Sequence, residues 1–137
     1  MSYVLVVEDS LTNADIAIRL LETLKLEVHH VTRGLEGAKL ARAEHPILIL
    51  MDFNLPDIDG RTLVLLLRKQ LGGNLAPPMV AMTARTGDLE ERIAARFGCS
   101  AFISKPFEPE AFLDIVKSLI PAHRMTQKKR LMMGFPK

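Results

Sequence analysis

The sequence has few of the features that mark secreted, membrane-spanning or disulfide-stabilised proteins. It has 137 residues and a single cysteine, Cys99, so no disulfide can form within the chain. No apolar run reaches the roughly 20 residues of a membrane-spanning helix. The N-terminus shows neither a basic region nor a small-residue cleavage site, so no signal peptide is expected. A cytoplasmic protein without a membrane span is the simplest expectation.

Motifs for two common kinds of ligand site are also missing. The sequence contains no phosphate-binding loop ending in Gly-Lys-Ser/Thr, so nucleotide binding is not indicated. The four histidines show no metal-ligand spacing, and we interpret them as structural or surface groups. Cys99 lies beside a predicted strand and is predicted to be a small buried apolar residue.

The net charge of +2 conceals an uneven distribution. Of the 18 Lys and Arg residues, five lie in residues 122–137, which contain no acidic residue. The remainder therefore carries 13 basic groups against 16 acidic ones and is mildly acidic. We predict one domain over residues 1–121 and a short basic C-terminal tail over residues 122–137. Attraction to nucleic acid or to anionic membranes would concern the tail alone.

Apolar runs and helix-period segments alternate along the domain. Strands are predicted over residues 4–7, 27–31, 47–51, 79–82 and 101–103. Helices are predicted after each strand. The first is capped by Asp9 or Ser10 and has apolar positions Ile16, Leu20, Leu21 and Leu24, and the second begins near Gly34 and stops before Pro46. The third covers residues 61–71, the fourth is capped by Asp88 and runs to Arg96, and the fifth covers residues 109–120. This alternation predicts an α/β fold, a doubly wound (βα)5 arrangement. Its five-stranded parallel sheet would have the order 2-1-3-4-5, with helices on both faces.

Polar residues follow four of the predicted strands at the point where each strand ends. Glu8 and Asp9 follow the first strand, Asp52 the third, Thr83 the fourth and Lys105 the fifth. In a parallel sheet these ends share one edge, where ligands bind in doubly wound folds. We therefore expect these five side chains to converge.

Three carboxylates in such a cluster repel one another unless a cation balances them. Carboxylate oxygens suit a hard divalent cation, and we predict Mg²⁺ (or Mn²⁺) held by Glu8, Asp9 and Asp52. The backbone carbonyl of Asn54 would add a further oxygen. The predicted chemistry is attack of an Asp52 carboxylate oxygen on phosphorus to form an acyl phosphate. Lys105 and Thr83 would bind the phosphoryl oxygens.

The chain resembles bacterial response-regulator receiver domains, which have a flavodoxin-like fold, over nearly its full length. Four segments carry the resemblance: Val4-Leu5-Val6-Val7-Glu8-Asp9-Ser10, Leu50-Met51-Asp52-Phe53-Asn54-Leu55-Pro56-Asp57-Ile58-Asp59-Gly60, Met82-Thr83-Ala84 and Phe102-Ile103-Ser104-Lys105-Pro106-Phe107. Each segment alone is weakly specific, whereas all four in order at the expected strand ends are strongly specific.

The resemblance implies a role for each matching residue. Glu8 and Asp9 match the acidic metal pair, Asp52 the phosphoacceptor and Lys105 the phosphate-binding lysine. Thr83 matches the switch hydroxyl and Phe102 the switch aromatic, with a cis bond expected before Pro106. Phe102 lacks the hydroxyl of the tyrosine often found at this position, and burial in the core is an equally good interpretation of it. Asn54 and Arg85 are candidates to flank the path of the hydrolytic water. The alternative for both is an exposed loop residue, and for Arg85 we slightly favour that alternative.

The resemblance also implies partners and a mode of signalling. A sensor histidine kinase or histidine phosphotransfer protein would phosphorylate Asp52. This would alter the face formed by the fourth helix, fifth strand and fifth helix for a downstream protein. No output domain is expected, because a helix-turn-helix module needs more chain than the tail supplies, so direct DNA binding is not predicted. A monomer or weak dimer that is not a turnover enzyme is expected.

Other interpretations remain open from the sequence. A receiver-fold interaction module that takes no phosphate is one, and a fragment of a larger regulator or hybrid kinase is another. A haloacid-dehalogenase-type hydrolase is disfavoured, because Asn54 occupies the position where that class requires a second Asp. Asp57, Asp59 and Gly60 are interpreted as ordinary turn-forming residues.

Overall fold

The chain folds into a five-stranded parallel sheet with helices on both faces. The computed structural model describes residues 2–84 and 87–120. The strands are β1 (Val4–Val7), β2 (Val28–Val31), β3 (Leu48–Asp52), β4 (Met79–Thr83) and β5 (Ala101–Ser104). The helices are α1 (Leu11–Glu22), α2 (Gly34–Ala43), α3 (Gly60–Gln70), α4 (Asp88–Phe97) and α5 (Pro109–Leu119). The sheet order β2-β1-β3-β4-β5 confirms the predicted topology.

The three central strands are buried along their whole length, and alternate residues enter two separate apolar clusters. Leu5 and Val7 of β1 face the cluster filled by α2, α3 and α4, whereas Val4 and Val6 face the cluster filled by α1 and α5. Continuous apolar runs suit strands that are covered on both faces. This is why the runs over residues 4–7 and 48–51 have no polar alternation.

The predicted helix signals are mostly confirmed, with two corrections in α1 and α4. Ser10 caps α1, because its Oγ accepts a hydrogen bond from the Asn13 N–H at 3.3 Å. Asp88 was predicted as the cap of α4 but is its first helical residue, and Gly87 precedes it without a side-chain cap. Ile16 was predicted on the apolar face of α1 but is 40% exposed.

The buried face of α1 consists of small residues as well as leucine. Ala14, Ala17 and Leu21 are buried there, because a helix that lies close to the sheet has room for alanine at its contact positions. Cys99 is buried as predicted. Within residues 2–84 and 87–120, no helix has the length and apolar character that crossing a membrane requires.

Candidate phosphoacceptor and metal site

The carboxyl ends of the parallel strands meet at one edge of the sheet. The strand register pairs Val7 with Met51 and Thr83 with Ser104, so residues at or just after these ends are neighbours. The structure therefore brings together the predicted residues Glu8, Asp9, Asp52, Thr83 and Lys105, and the bond between Lys105 and Pro106 is cis. The predicted convergence is confirmed.

Three carboxylates form the centre of this edge. Glu8, Asp9 and Asp52 each place a carboxylate oxygen within 4.8 Å of the others. Glu8 is fully buried and Asp52 is 4% exposed, whereas Asp9 is open to solvent. Two buried acidic groups and one accessible group make a site that an ion can enter from the side of Asp9.

Lys105 is the cation of this cluster. Its Nζ lies 2.5 Å from Glu8 Oε1 and 3.0 Å from Asp52 Oδ2, and its side chain is 11% exposed. Burial alone would lower the pKa of Lys105, but the two carboxylates outweigh burial and the pKa is raised. Lys105 is therefore held as an ammonium directly against Asp52.

The pKa of Glu8 reflects the excess of negative charge that remains at the site after Lys105 is counted. Burial raises the pKa of Glu8, and the neighbouring Asp52 carboxylate raises it further. Lys105 and the Ser10 N–H lower the pKa of Glu8 but do not cancel this increase. The Ser10 N–H donates to Glu8 Oε2 at 3.1 Å. One ammonium does not balance three carboxylates in a largely buried site. An all-oxygen donor set with excess negative charge is the chemistry that a hard divalent cation requires, so these residues fit Mg²⁺ or Mn²⁺.

The segment after Asp52 turns back toward the site. The Asn54 N–H donates to Asp52 Oδ1 at 2.8 Å, and Asn54 forms an isolated antiparallel bridge with Asp59. Asn54 thus fixes one oxygen of the Asp52 carboxylate, and Lys105 pairs with the other. Both oxygens of Asp52 are oriented by the protein.

Thr83 and Phe102 lie on a shared cavity beside the carboxylates. Thr83 is buried, Phe102 is half-buried, and both line a cavity of about 220 Å³ together with Phe53, Asn54 and Ile93. The predicted switch hydroxyl and switch aromatic therefore line the same cavity. Arg85 and the tail over residues 122–137 lie outside the described residues.

One site-related contact is missed by the sequence analysis. Asp57 lies in a bend, as expected of a turn-forming residue, but its two carboxylate oxygens also accept the N–H groups of Gly34 and Leu35 at the start of α2. No local pattern announces this contact, because the partners are more than 20 residues away. Asp59, by contrast, caps α3 locally by accepting the Arg61 N–H.

The chain is similar in sequence and in fold to known proteins over most of its length. Residues 4–117 match the sequence model of the response regulator receiver domain. The chain belongs to this family. It is 38% identical over 119 residues to the polar-differentiation response regulator DivK of Brucella ovis, across 85% of this chain and 94% of that protein.

Receiver domains within larger proteins are similar as well. The chain is 38% identical over 109 residues to the hybrid signal transduction histidine kinase G of Dictyostelium discoideum, across 77% of this chain but 3% of that protein. A single-domain receiver agrees with the DivK match.

Solved receiver structures superpose on the fold. The chemotaxis response regulator CheY4 of Vibrio cholerae matches with a TM-score of 0.80 at 25% identity, across 88% of this chain and 99% of that chain. The receiver domain of the sensor histidine kinase PA1611 of Pseudomonas aeruginosa matches with a TM-score of 0.76 at 26% identity, across 85% and 95% of the two chains. That structure has a magnesium ion coordinated in its active-site cleft. The receiver is accordingly a phosphoacceptor signalling protein of a two-component system, as the resemblance implied.

Proposed function

We propose that Asp52 is the phosphoacceptor of this receiver and that Glu8, Asp9, Asp52 and the Asn54 backbone carbonyl hold Mg²⁺ or Mn²⁺. The observation that carries the proposal is the placement of Asp52. It ends a buried strand, its Oδ2 is 3.0 Å from the Lys105 ammonium, and its carboxylate lies within 4.8 Å of those of Glu8 and Asp9. A divalent cation would supply charge neutralisation at the phosphoryl oxygens when bound.

The protein's own groups then orient and stabilise the transfer. A carboxylate oxygen of Asp52 attacks the phosphorus of a phosphohistidine, an O–P bond forms and the P–N bond breaks, and its electron pair remains on the imidazole nitrogen of the donor. Lys105 neutralises charge on the phosphoryl group, and Thr83 Oγ donates a hydrogen bond to it. These are positioning and electrostatic contributions, the main ones in phosphoryl transfer.

The proposed output uses the face of α4, β5 and α5. Phe102 lines the cavity shared with Thr83 and also a second cavity of about 260 Å³ between α4 and β5, lined by Glu91, Ala95 and Ser100. A rotation of Phe102 toward Thr83 on phosphorylation would change the second cavity and so change the surface offered to a downstream protein. In this proposal a histidine kinase or phosphotransfer protein supplies the phosphoryl group, and the receiver itself catalyses no turnover of other substrates. A domain over residues 1–121, a basic tail without an output domain and a cytoplasmic location stay predictions.

The test is phosphorylation of the full chain by a small-molecule phosphodonor, read by intact mass. We expect one phosphoryl adduct that requires Mg²⁺, disappears with chelator and is absent from Asp52→Asn. Asp114→Asn, which changes an exposed aspartate of α5, is the matched control and should form the adduct normally. A folded wild-type protein that forms no adduct with the small donor or with histidine kinases would favour the interaction-module alternative.

A further inference from the structure

The loop of residues 53–59, here called the acceptor loop, connects the proposed phosphoacceptor to α3. Its beginning is fixed to the site, because the Asn54 N–H donates to Asp52 Oδ1 at 2.8 Å. Asn54 also bridges to Asp59 at the other end of the loop. The orientation of Asn54 therefore depends on how the whole loop is held.

The tip of the acceptor loop is attached to a different helix. Asp57 Oδ1 accepts the Gly34 N–H and Asp57 Oδ2 accepts the Leu35 N–H, each at 2.9 Å. Helix α2 begins at Gly34, and its own N-cap residue, Arg33, makes no side-chain capping bond. Asp57 thus satisfies two free N–H groups of α2 and places a negative charge at the positive end of the helix dipole.

Apolar contacts on either side of Asp57 hold the same junction. A Cβ added at Gly34 would lie 2.3 Å from Ile58 Cγ2 and 3.2 Å from Leu55 Cδ1, so both side chains pack directly on the start of α2. The tip cannot shift on α2 without breaking both hydrogen bonds and this contact. Glycine at position 34 permits the close approach.

We propose that Asp57 is a positioning residue for the metal and phosphoacceptor site. By docking the acceptor loop on α2, Asp57 fixes Asn54, which orients the Asp52 carboxylate through its N–H and offers its carbonyl to the cation. Asp57 itself contacts neither the cation nor the phosphoryl group. The inference rests on the proposed function in one respect, namely that Asp52 and Asn54 are metal ligands.

The test compares Mg²⁺ affinity, measured by calorimetry on the full chain, among four proteins. Asp57→Ala should bind Mg²⁺ about tenfold more weakly than wild type, the lower end of the effect of residues that support metal ligands. Asp57→Asn should lose less, because asparagine keeps one acceptor oxygen. Both variants remove the same charge, so a difference in affinity between them does not come from the charge of Asp57.

Gln70→Ala is the matched control. Gln70 Nε2 donates to the Ala38 carbonyl at 2.7 Å, so it links α3 to the same helix α2 without involving the acceptor loop. Its Mg²⁺ affinity should equal that of wild type. In ¹H–¹⁵N spectra, the Asn54 amide signal should move in Asp57→Ala and stay in place in Gln70→Ala.

The possible outcomes separate the two levels of the hypothesis. A wild-type protein that binds no Mg²⁺ rejects the proposed metal site and this inference with it. Normal wild-type binding together with unchanged affinity in Asp57→Ala rejects the positioning role alone, as does an equal loss in Gln70→Ala. If Asp57→Ala does not fold, a loss of affinity in Asp57→Asn but not in Gln70→Ala supports the role, and unchanged affinity in Asp57→Asn rejects it.

Discussion

Gly60 lies directly against the backbone of Phe53, the residue that follows the proposed phosphoacceptor. The Gly60 N–H donates to the Phe53 carbonyl at 3.2 Å, and a Cβ at Gly60 would stand 2.6 Å from Phe53 Cα. Since that neighbour is backbone, no side-chain rotation relieves the overlap. The first turn of α3 is therefore held against the end of β3 only while residue 60 has no side chain.

We predict that Gly60→Ala destabilises the fold by about 1–3 kcal/mol, the usual effect of forcing extra atoms into a filled space. Helix propensity acts in the opposite direction, since alanine is favoured over glycine by about 1 kcal/mol. Urea unfolding measures the net change in the free energy of unfolding. Thr62→Ala, at an exposed position of the same helix turn, is the control. A Gly60→Ala protein as stable as wild type would show that the backbone at Phe53 yields easily.

A second prediction concerns the stability of the site without cation. Asp52→Asn removes one of three carboxylates whose oxygens lie within 4.8 Å of one another, while Lys105 keeps its ion pair with Glu8. We expect the variant to be more stable than wild type by on the order of 1 kcal/mol in chelator, because repulsion between like charges is relieved. Denaturant midpoints measured in chelator give this difference.

Added Mg²⁺ provides the internal check on that result. A cation that binds only the folded protein stabilises it in proportion to the logarithm of its concentration. The wild type should therefore gain stability with Mg²⁺ and approach or overtake Asp52→Asn. Asp114→Asn should follow the wild type at every concentration. If Asp52→Asn is less stable than wild type in chelator, the ion pair between Asp52 and Lys105 stabilises the wild type by more than the repulsion among the carboxylates destabilises it.

The topology and the positions of the site residues were predictable because local patterns determine them. The run over residues 4–7 is apolar at every position, so it had to lie between two layers, and Glu8 and Asp9 then fell at its carboxyl end. The same reasoning placed Asp52, Thr83 and Lys105, since the carboxyl ends of parallel strands lie at one edge of the sheet. These predictions needed only short segments and the alternation of strands and helices.

The errors arose where a contact is long-range or depends on helix rotation. Asp57 has a partner in α2 that no neighbouring residue reveals, so its role was indistinguishable from that of a turn aspartate. Hydrophobicity assigns Ile16 to the buried face of α1, but the buried residues of this helix are Ala14, Ala17 and Leu21, and Ile16 is 40% exposed. Side-chain size helps to decide which residues of a helix are buried, and hydrophobicity alone does not predict them.

A third prediction separates metal binding from fold stability at Asp9. Asp9 is exposed, in contrast to its partners Glu8 and Asp52. We expect Asp9→Asn to change the unfolding free energy in chelator by less than about 0.5 kcal/mol, as is usual for surface substitutions. Its stabilisation by Mg²⁺ should be strongly reduced, because a carboxylate ligand is lost.

Thermal unfolding across a Mg²⁺ series measures both quantities in one experiment. Asp15→Asn, another exposed aspartate a few residues away in α1, is the control and should keep the full Mg²⁺ response. If Asp9→Asn keeps the wild-type response to Mg²⁺, Asp9 is not a metal ligand. The side-chain ligands would then be the two buried carboxylates of Glu8 and Asp52.

The last prediction uses Tyr3, the sole tyrosine in a chain without tryptophan. Its ring is buried, and its hydroxyl donates to the Glu44 carbonyl. Burial and the nearby Glu44 carboxylate raise the pKa of Tyr3 to about 12 from the ordinary value of 10.0. Absorbance at 295 nm should therefore show native Tyr3 ionising near pH 12, and the urea-unfolded chain ionising near pH 10.

The sign of the stability effect follows from this difference. Because the folded-state pKa is the higher one, the unfolded chain loses its phenol proton first as the pH rises above about 10. The contribution of Tyr3 to stability is thus fully present below pH 10 and declines as the pH rises through about 12. Tyr3→Phe retains the buried ring without the proton, so its stability should fall less steeply over that interval. A native titration midpoint near pH 10 would mean that solvent reaches the Tyr3 hydroxyl. The hydrogen bond from Tyr3 to the Glu44 carbonyl would then not hold the residue before β1 against the residue after α2.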